Sequence, residues 1–319
     1  MYEPAKLTKS NQEQAVAAWV NYLNQLRLDN LLSTLNQQDM NLADALASVT
    51  AAVRKIDLEV VTTNRGGVKG MHGFIAEVAE VGVGNARRQI FGENPLYQWV
   101  NDNGPVDLMR SGVAIQQKFF AAGNRFGLGA IADHLQKYPD FVENGGKYQI
   151  PSDHFEVIQK LHAMPREEAG KLLTRTGDGP SYGDWTRVQS FFEERSLGVE
   201  SLEPSHLKYS EVQMGAYGAT LQSETDSLRS TDQSLRDDAY QASDPTLREG
   251  TKATLAAAAI EGGTALALAV IAKRRAGKPL KDFTREDWTD IAGEGGLGAA
   301  QGGVRGLSIY WLTNFTATP

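Results

Sequence analysis

An α/β core set within a largely helical chain is the fold class the sequence predicts, and three observations carry it. Apolar residues recur at three- and four-residue spacings through residues 11–61 and again through 71–91, the mark of amphipathic helix. Between residues 105 and 120, in "PVDLMRSGVAIQQKFF", that period gives way to two short strand-like runs joined by "RSG", which suits a hairpin turn. A glycine-rich break, "AAGNRFGLG", then returns the chain to the helical pattern "AIADHLQKY".

Taken in order, residues 1–62 form a helical lead-in, in which "QAVAAWVNYLNQL" and "NLADALASVTAAV" carry the period and Asn41 is a cap candidate. "TTNRGGVKG" breaks the helix, Met71 to Phe91 resumes it, and "GENP" stops it. The strand candidates are Pro105–Met109 and Val113–Phe120. "YPDFVENGGKYQIPSD" is expected to be a loop, closing a core over 63–150. Residues 151–248 read as successive polar helices, and "SETDSLRSTDQSLRDDAYQAS" is hydrophilic enough to predict a solvated or coiled-coil helix. Residues 249–319 predict an Ala/Gly-rich hydrophobic helical hairpin.

Bulk properties narrow the function classes. At 319 residues, 41% hydrophobic and 22% charged, the chain has globular composition and room for more than one domain. A net charge of −7 gives no global attraction to a polyanion, so a nucleic-acid site has to be a local basic patch. The absence of cysteine excludes disulfides, thiolate metal sites and cysteine nucleophiles. No GxxxxGK phosphate loop and no GxSxG elbow occurs, and "GVGNAR" lacks the third glycine and preceding strand of a dinucleotide fingerprint. "MYEPAKLTKSNQEQ" has no apolar run of the secretory type, which predicts a cytoplasmic protein.

The hairpin carries the chemistry. On a strand, Gln116 and Lys118 point to one face, while Gln117 and Phe119 point to the other. Gln116 can then set its amide oxygen beside the Asp107 carboxylate, and Lys118 can face a phosphate or an attacking water. One or two carboxylates with amide or carbonyl oxygens suffice for Mg²⁺, which keeps several waters. On the preceding helix, at about 100° per residue, Glu77 lies just beyond the Val81 edge of the apolar stripe and can look into a site. Glu80 falls nearly opposite the stripe and is expected to face water.

Glu77, Asp107 and Gln116-x-Lys118, followed by the helix "LGAIADHL", resemble the PD-(D/E)xK (restriction-endonuclease-like) nuclease superfamily, and within it the Mrr-type restriction endonucleases. The resemblance spans roughly residues 65–140. It implies a small mixed sheet flanked by helices, a metal-dependent DNA endonuclease using Mg²⁺ or Mn²⁺, and a defence role against foreign DNA. It assigns Asp107, Glu77 and Gln116 to the metal and Lys118 to water and phosphate. Two departures stand out: Pro105-Val-Asp107 replaces the usual Pro-Asp, and "NDNGPVD" replaces a glycine-rich run. A surface hairpin with an Asp107–Lys118 pair and solvated glutamines is the plain alternative, and a nuclease fold without activity is another.

Lys69, Arg87, Arg88 and Arg125 are the candidates for a local DNA-binding patch. His72 and His134 are candidates for catalysis or phosphate binding, with a structural role the default for a lone histidine. In "ATLAAAAIEGGTALALAVIA", residues 253–272, a helix would span about 30 Å, close to bilayer thickness. Glu261 near its centre nearly cancels the apolar gain of insertion. Residues 253–313 therefore suggest either a closely packed hairpin that drives homo-oligomers or an association with the inner face of a membrane. The competing function is a non-enzymatic membrane-active or oligomerising effector with an inactive core.

Overall fold

The computed structural model describes residues 4–102, 104–120, 126–172, 179–195 and 197–245, together with scattered positions between 252 and 299. Residues 36–236 form one compact unit, and residues 1–35 with 237–319 form another. The candidate site lies wholly within the first. The hairpin expected over 249–319 falls outside the described residues, apart from scattered helical positions. Among the described residues, no helix is long and apolar enough to cross a membrane.

Helix α1, Pro4–Lys55, runs without interruption through Asn41. Asn41 is therefore no cap; it is a buried side chain that accepts a hydrogen bond from Gln37 and donates one to Gln38. A π-helical segment, Ile56–Val61, prolongs α1 and buries Ile56 and Val60. Gly66 and Gly67 follow with φ of 76° and 61°, left-handed values that glycine adopts without a steric cost. They reverse the chain into α2, Gly67–Gln89.

From Ile75 to Ala86, α2 is buried on nearly every side, which is the condition of a central helix rather than a surface one. A Cβ at Gly82 would fall 2.4 Å from the Cβ of Ala52. That glycine is what lets α1 and α2 touch.

Five strands follow: β1 (Tyr97–Trp99), β2 (Leu108–Arg110), β3 (Val113–Gln117), β4 (Lys147–Ile150) and β5 (Leu202–Pro204), hydrogen-bonded in that order. The first three form an antiparallel meander, and β4 and β5 are parallel to β3 and to one another. Arg110 pairs with Val113 around Ser111 and Gly112, whose φ values are 50° and 86°. Two positive φ angles make this a type I′ hairpin, whose twist matches that of the strands. The parallel step from β3 to β4 is bridged by α3, Leu128–Lys137.

The chain is thus α/β, with a small mixed sheet flanked by helices. Two regions differ from expectation. "KYQI" of the expected loop is β4, and "LEP" within the expected run of helices is β5, so the sheet continues past residue 150. One side of the sheet faces the core built by α1 and α2. Onto that core packs α7, Tyr217–Ala242, through Leu221 and Leu228, which are 1% and 3% exposed. The hydrophilic helix expected to be solvated or coiled-coil is thus a core element, because its few leucines fall on one stripe. The other side of the sheet, with Tyr148, Ile150 and Leu202, packs against α3, α4 (Ser152–Ala163), α5 (Arg166–Ala169) and α6 (Tyr182–Arg195).

Candidate active site

Asp107 stands immediately before β2 but is already in the ladder: its N–H donates to the Ile115 carbonyl, and its own carbonyl accepts from Val100. Lys118, one residue beyond β3, is held the same way through its N–H to the Gln149 carbonyl. Both side chains are therefore carried on fixed backbone. Asp107 Oδ2 accepts a hydrogen bond from the Gln117 backbone N–H at 2.8 Å and another from Gln116 Nε2. Gln117 turns to the opposite face, where its amide donates to Gln149 at 2.8 Å, and Phe119 packs into the α2 core. The alternation of β3 is as its sequence predicts.

Glu77 arrives from α2, and its placement depends on β1. Asn85 Oδ1 accepts the backbone N–H groups of Leu96 and Tyr97, and Asn85 Nδ2 donates to the Tyr97 carbonyl. A side chain at Gly84 would collide with the Tyr97 ring, 2.7 Å away. Together these two residues lay β1 along α2. Trp99, two residues on and so on the same face, then donates its indole N–H to Glu77 Oε2 at 2.9 Å.

Electrostatics tie these groups into one cluster. Burial, followed by the Asp107 charge, pushes the Glu77 carboxyl up to about 8, against the opposing influence of Trp99, Arg65 and Lys118. Burial also raises Asp107, while Lys118 and the bonds from Gln117 and Gln116 hold it down. Two carboxyls in one site cannot both ionise freely, so they titrate as a pair. Burial lowers Lys118, opposed by Asp107 and then by Glu77. Glu77, Asp107, Gln116 and Lys118 are thus brought together. Gln116 and Gln117, 4% and 6% exposed, are not the solvated glutamines of a surface hairpin.

The donor set fits a hard divalent cation. Two carboxyls whose anionic forms are disfavoured by burial and mutual repulsion would be relieved by one. The Gln116 amide oxygen is buried without a hydrogen-bond partner. Its amide currently presents nitrogen to Asp107, and a half-turn presents oxygen instead. Among the described residues no group of three or more His, Asp or Glu side chains is arranged to hold an ion. Two carboxylates, an amide oxygen and waters are the kind of set Mg²⁺ accepts.

Glu80 corrects the sequence expectation outright. Instead of facing water it is 0% exposed. It accepts hydrogen bonds from Gln149 Nε2 (3.0 Å), the Ser205 hydroxyl (2.5 Å) and the His206 backbone (3.0 Å), and its Oε1 lies 2.6 Å from His206 Nδ1. Because α2 is enclosed on all sides, the position opposite its apolar stripe meets β4 and the segment after β5.

Of the four predicted DNA-binding residues, Arg87 and Arg88 have described side chains, and each is paired with a carboxylate. Arg87 makes a bidentate pair with Glu224, and Arg88 pairs with Glu93 at 2.7 Å. Position 69 lies eighteen residues before Arg87 on α2, about 27 Å along the axis. The Lys69 side chain and all of Arg125 fall outside the described residues. His72 is bonded through Nε2 to the Phe119 carbonyl at 2.8 Å, a structural tie behind Lys118. His134 is bonded through Nδ1 to the Tyr148 hydroxyl at 2.8 Å. Burial and the Lys118 charge push it down to about 4, with the Pro105 carbonyl opposing.

Sequence reasoning missed Trp99, Arg65 and Lys55. The Lys55 ammonium lies 4.5 Å from the Trp99 ring centre, and the Arg65 guanidinium lies 5.3 Å from it and 4.2 Å from that of Phe74. The alternating aromatics of "LYQWV" were the available signal for β1. Comparison with protein families, with curated proteins and with solved structures gives no match.

Proposed function

We propose that residues 36–236 carry a metal-dependent DNA endonuclease site on a restriction-endonuclease-like core of the Mrr type. The observation that carries the reading is the convergence of Glu77, Asp107, Gln116 and Lys118 into one electrostatically coupled cluster at the end of a mixed sheet. The order of elements, a helix, three antiparallel strands, a helix and a parallel strand, supports it as well.

Asp107 and Glu77 would hold Mg²⁺ or Mn²⁺, with the Gln116 amide oxygen beside them. The ion, when bound, supplies charge neutralisation at a phosphate and activation of water at neutral pH. Lys118 orients the water and donates to a phosphate oxygen as charge builds there. Its buried position brings its ammonium closer to neutrality, so it can also exchange a proton with that water. Trp99 and the Gln117 N–H keep one oxygen of each carboxylate occupied, which fixes the direction of the other. A defence role against foreign DNA accords with the resemblance.

The test is cleavage of plasmid and linear DNA by the purified full chain in Mg²⁺ or Mn²⁺, beside Asp107→Ala and Lys118→Ala. Cutting by the parent that is lost in both folded variants is the expected result. No cutting with either metal, or cutting that survives Asp107→Ala, overturns the proposal.

A further inference from the structure

We infer that Lys55 and Arg65, seated against Trp99, are the cations that grip the phosphate backbone of a DNA duplex beside Glu77. The inference rests on the nuclease reading above and names the part of that site that holds its substrate.

Arg87 and Arg88 are paired with carboxylates, in a bidentate contact and a close one. Lys55 and Arg65 are held differently. Among the described residues, the carboxylate paired with Lys55 is Glu59, loose and exposed, at 3.9 Å. Arg65 donates to the neutral Asn101 amide. Both rest against aromatic rings, which attract a cation and fix its place without cancelling its charge. Both lie within 5.3 Å of one ring centre, so the two charges are at most about 10 Å apart. Phosphates of one strand follow each other at about 3.4 Å along the duplex axis, and that interval covers two or three of them.

Trp99 joins the two jobs. Its ring seats both cations, and its indole N–H is bonded to Glu77. A basic spot of this kind is what a chain with net charge −7 needs in order to meet a polyanion at one place only. Interleaved cations and aromatics are the usual makeup of such surfaces.

The experiment measures anisotropy of a short fluorescein-labelled DNA duplex with the full chain in Ca²⁺, across a salt series, for the parent and for Lys55→Gln, Arg65→Gln, Arg65→Lys and Arg88→Ala. Each lost phosphate contact should make the slope of log affinity against log salt shallower by about one. The slope is expected to fall in Lys55→Gln and Arg65→Gln, and to stay at the parent value in Arg65→Lys and Arg88→Ala. The Lys55 side chain is 40% exposed, so Lys55→Gln keeps the test open even if Arg65→Gln unfolds. Parent-like slopes in Lys55→Gln and Arg65→Gln overturn the assignment, as does failure of the parent to bind duplex at any salt.

Cleavage in Mg²⁺, read in parallel, separates the two claims. DNA cut with both slopes intact removes only the cation assignment. DNA gripped through Lys55 and Arg65 but never cut removes only the hydrolytic reading. Trp99→Phe keeps a ring under the cations and deletes the N–H to Glu77. It should leave the salt slope in place while moving the pH profile of cleavage.

Discussion

Replacing Glu77 with glutamine should change how stability depends on pH. In the folded protein the Glu77 carboxyl is raised from its ordinary value of 4.5 to about 8. Between those two values the folded state keeps a proton that the unfolded state has lost, so stability falls as pH rises, by about 1.4 kcal/mol per pH unit. The contribution is fully present below pH 4.5 and is gone above about pH 8. It amounts to on the order of 5 kcal/mol, an upper figure because the side chain keeps some contact with solvent.

Glu77→Gln retains an oxygen for the Trp99 indole and removes the ionisation. Its stability relative to the parent should therefore climb between pH 5 and about pH 8 and level off above that. His134, pushed down to about 4, works in the opposite sense, losing stability as pH falls from 6.5 towards 4. The parent curve alone thus conceals both, and the difference between parent and variant isolates Glu77. The assay is urea denaturation at a series of pH values, without divalent metal and then with Mg²⁺. Bound Mg²⁺ should stabilise the parent most at high pH and Glu77→Gln much less. Parallel parent and variant curves across pH 5–9 would refute the reasoning, since Glu77 would then already be ionised at pH 5.

Two further predictions concern the frame around the site. Glu80→Ala removes the acceptor of the Ser205 hydroxyl and the His206 N–H and one of the two acceptors of the Gln149 amide, and should lower stability by about 3–5 kcal/mol, read as a fall in the urea midpoint. Gly82→Ala puts a methyl against Ala52 and should lower stability by about 2 kcal/mol despite the better helix propensity of alanine. Restoring the space with Ala52→Gly in the same chain should recover most of that loss.

The β2–β3 hairpin was legible because its information is local: "RSG" provides the turn, and alternation decides which side chains face Asp107. The helices were legible from their period. β1, β4 and β5 were not, because each has only three or four residues and β5 takes its place through pairing with β4, more than fifty residues earlier in the chain. Glu80 was misread for a related reason. A helical wheel describes a helix with one wet side, and α2 has none over its middle turns. Lys55, Arg65 and Trp99 come from the helical lead-in, a glycine break and an edge strand. Their meeting is a product of the fold, with no spacing in the sequence to announce it.

The enclosure of Glu80 also bears on how the chain is made. Its partners Ser205 and His206 follow it by 125 and 126 residues. A ribosome adding about 5–20 residues per second needs roughly 6–25 seconds to supply them. Throughout that interval the Glu80 side chain on α2 lacks two of the hydrogen-bond donors that surround it in the finished fold, which disfavours docking of this helix in the nascent chain. Fragments that stop short of residue 206 should emerge as substrates for chaperones and proteases, and the protein should acquire its site late in synthesis and in a single event.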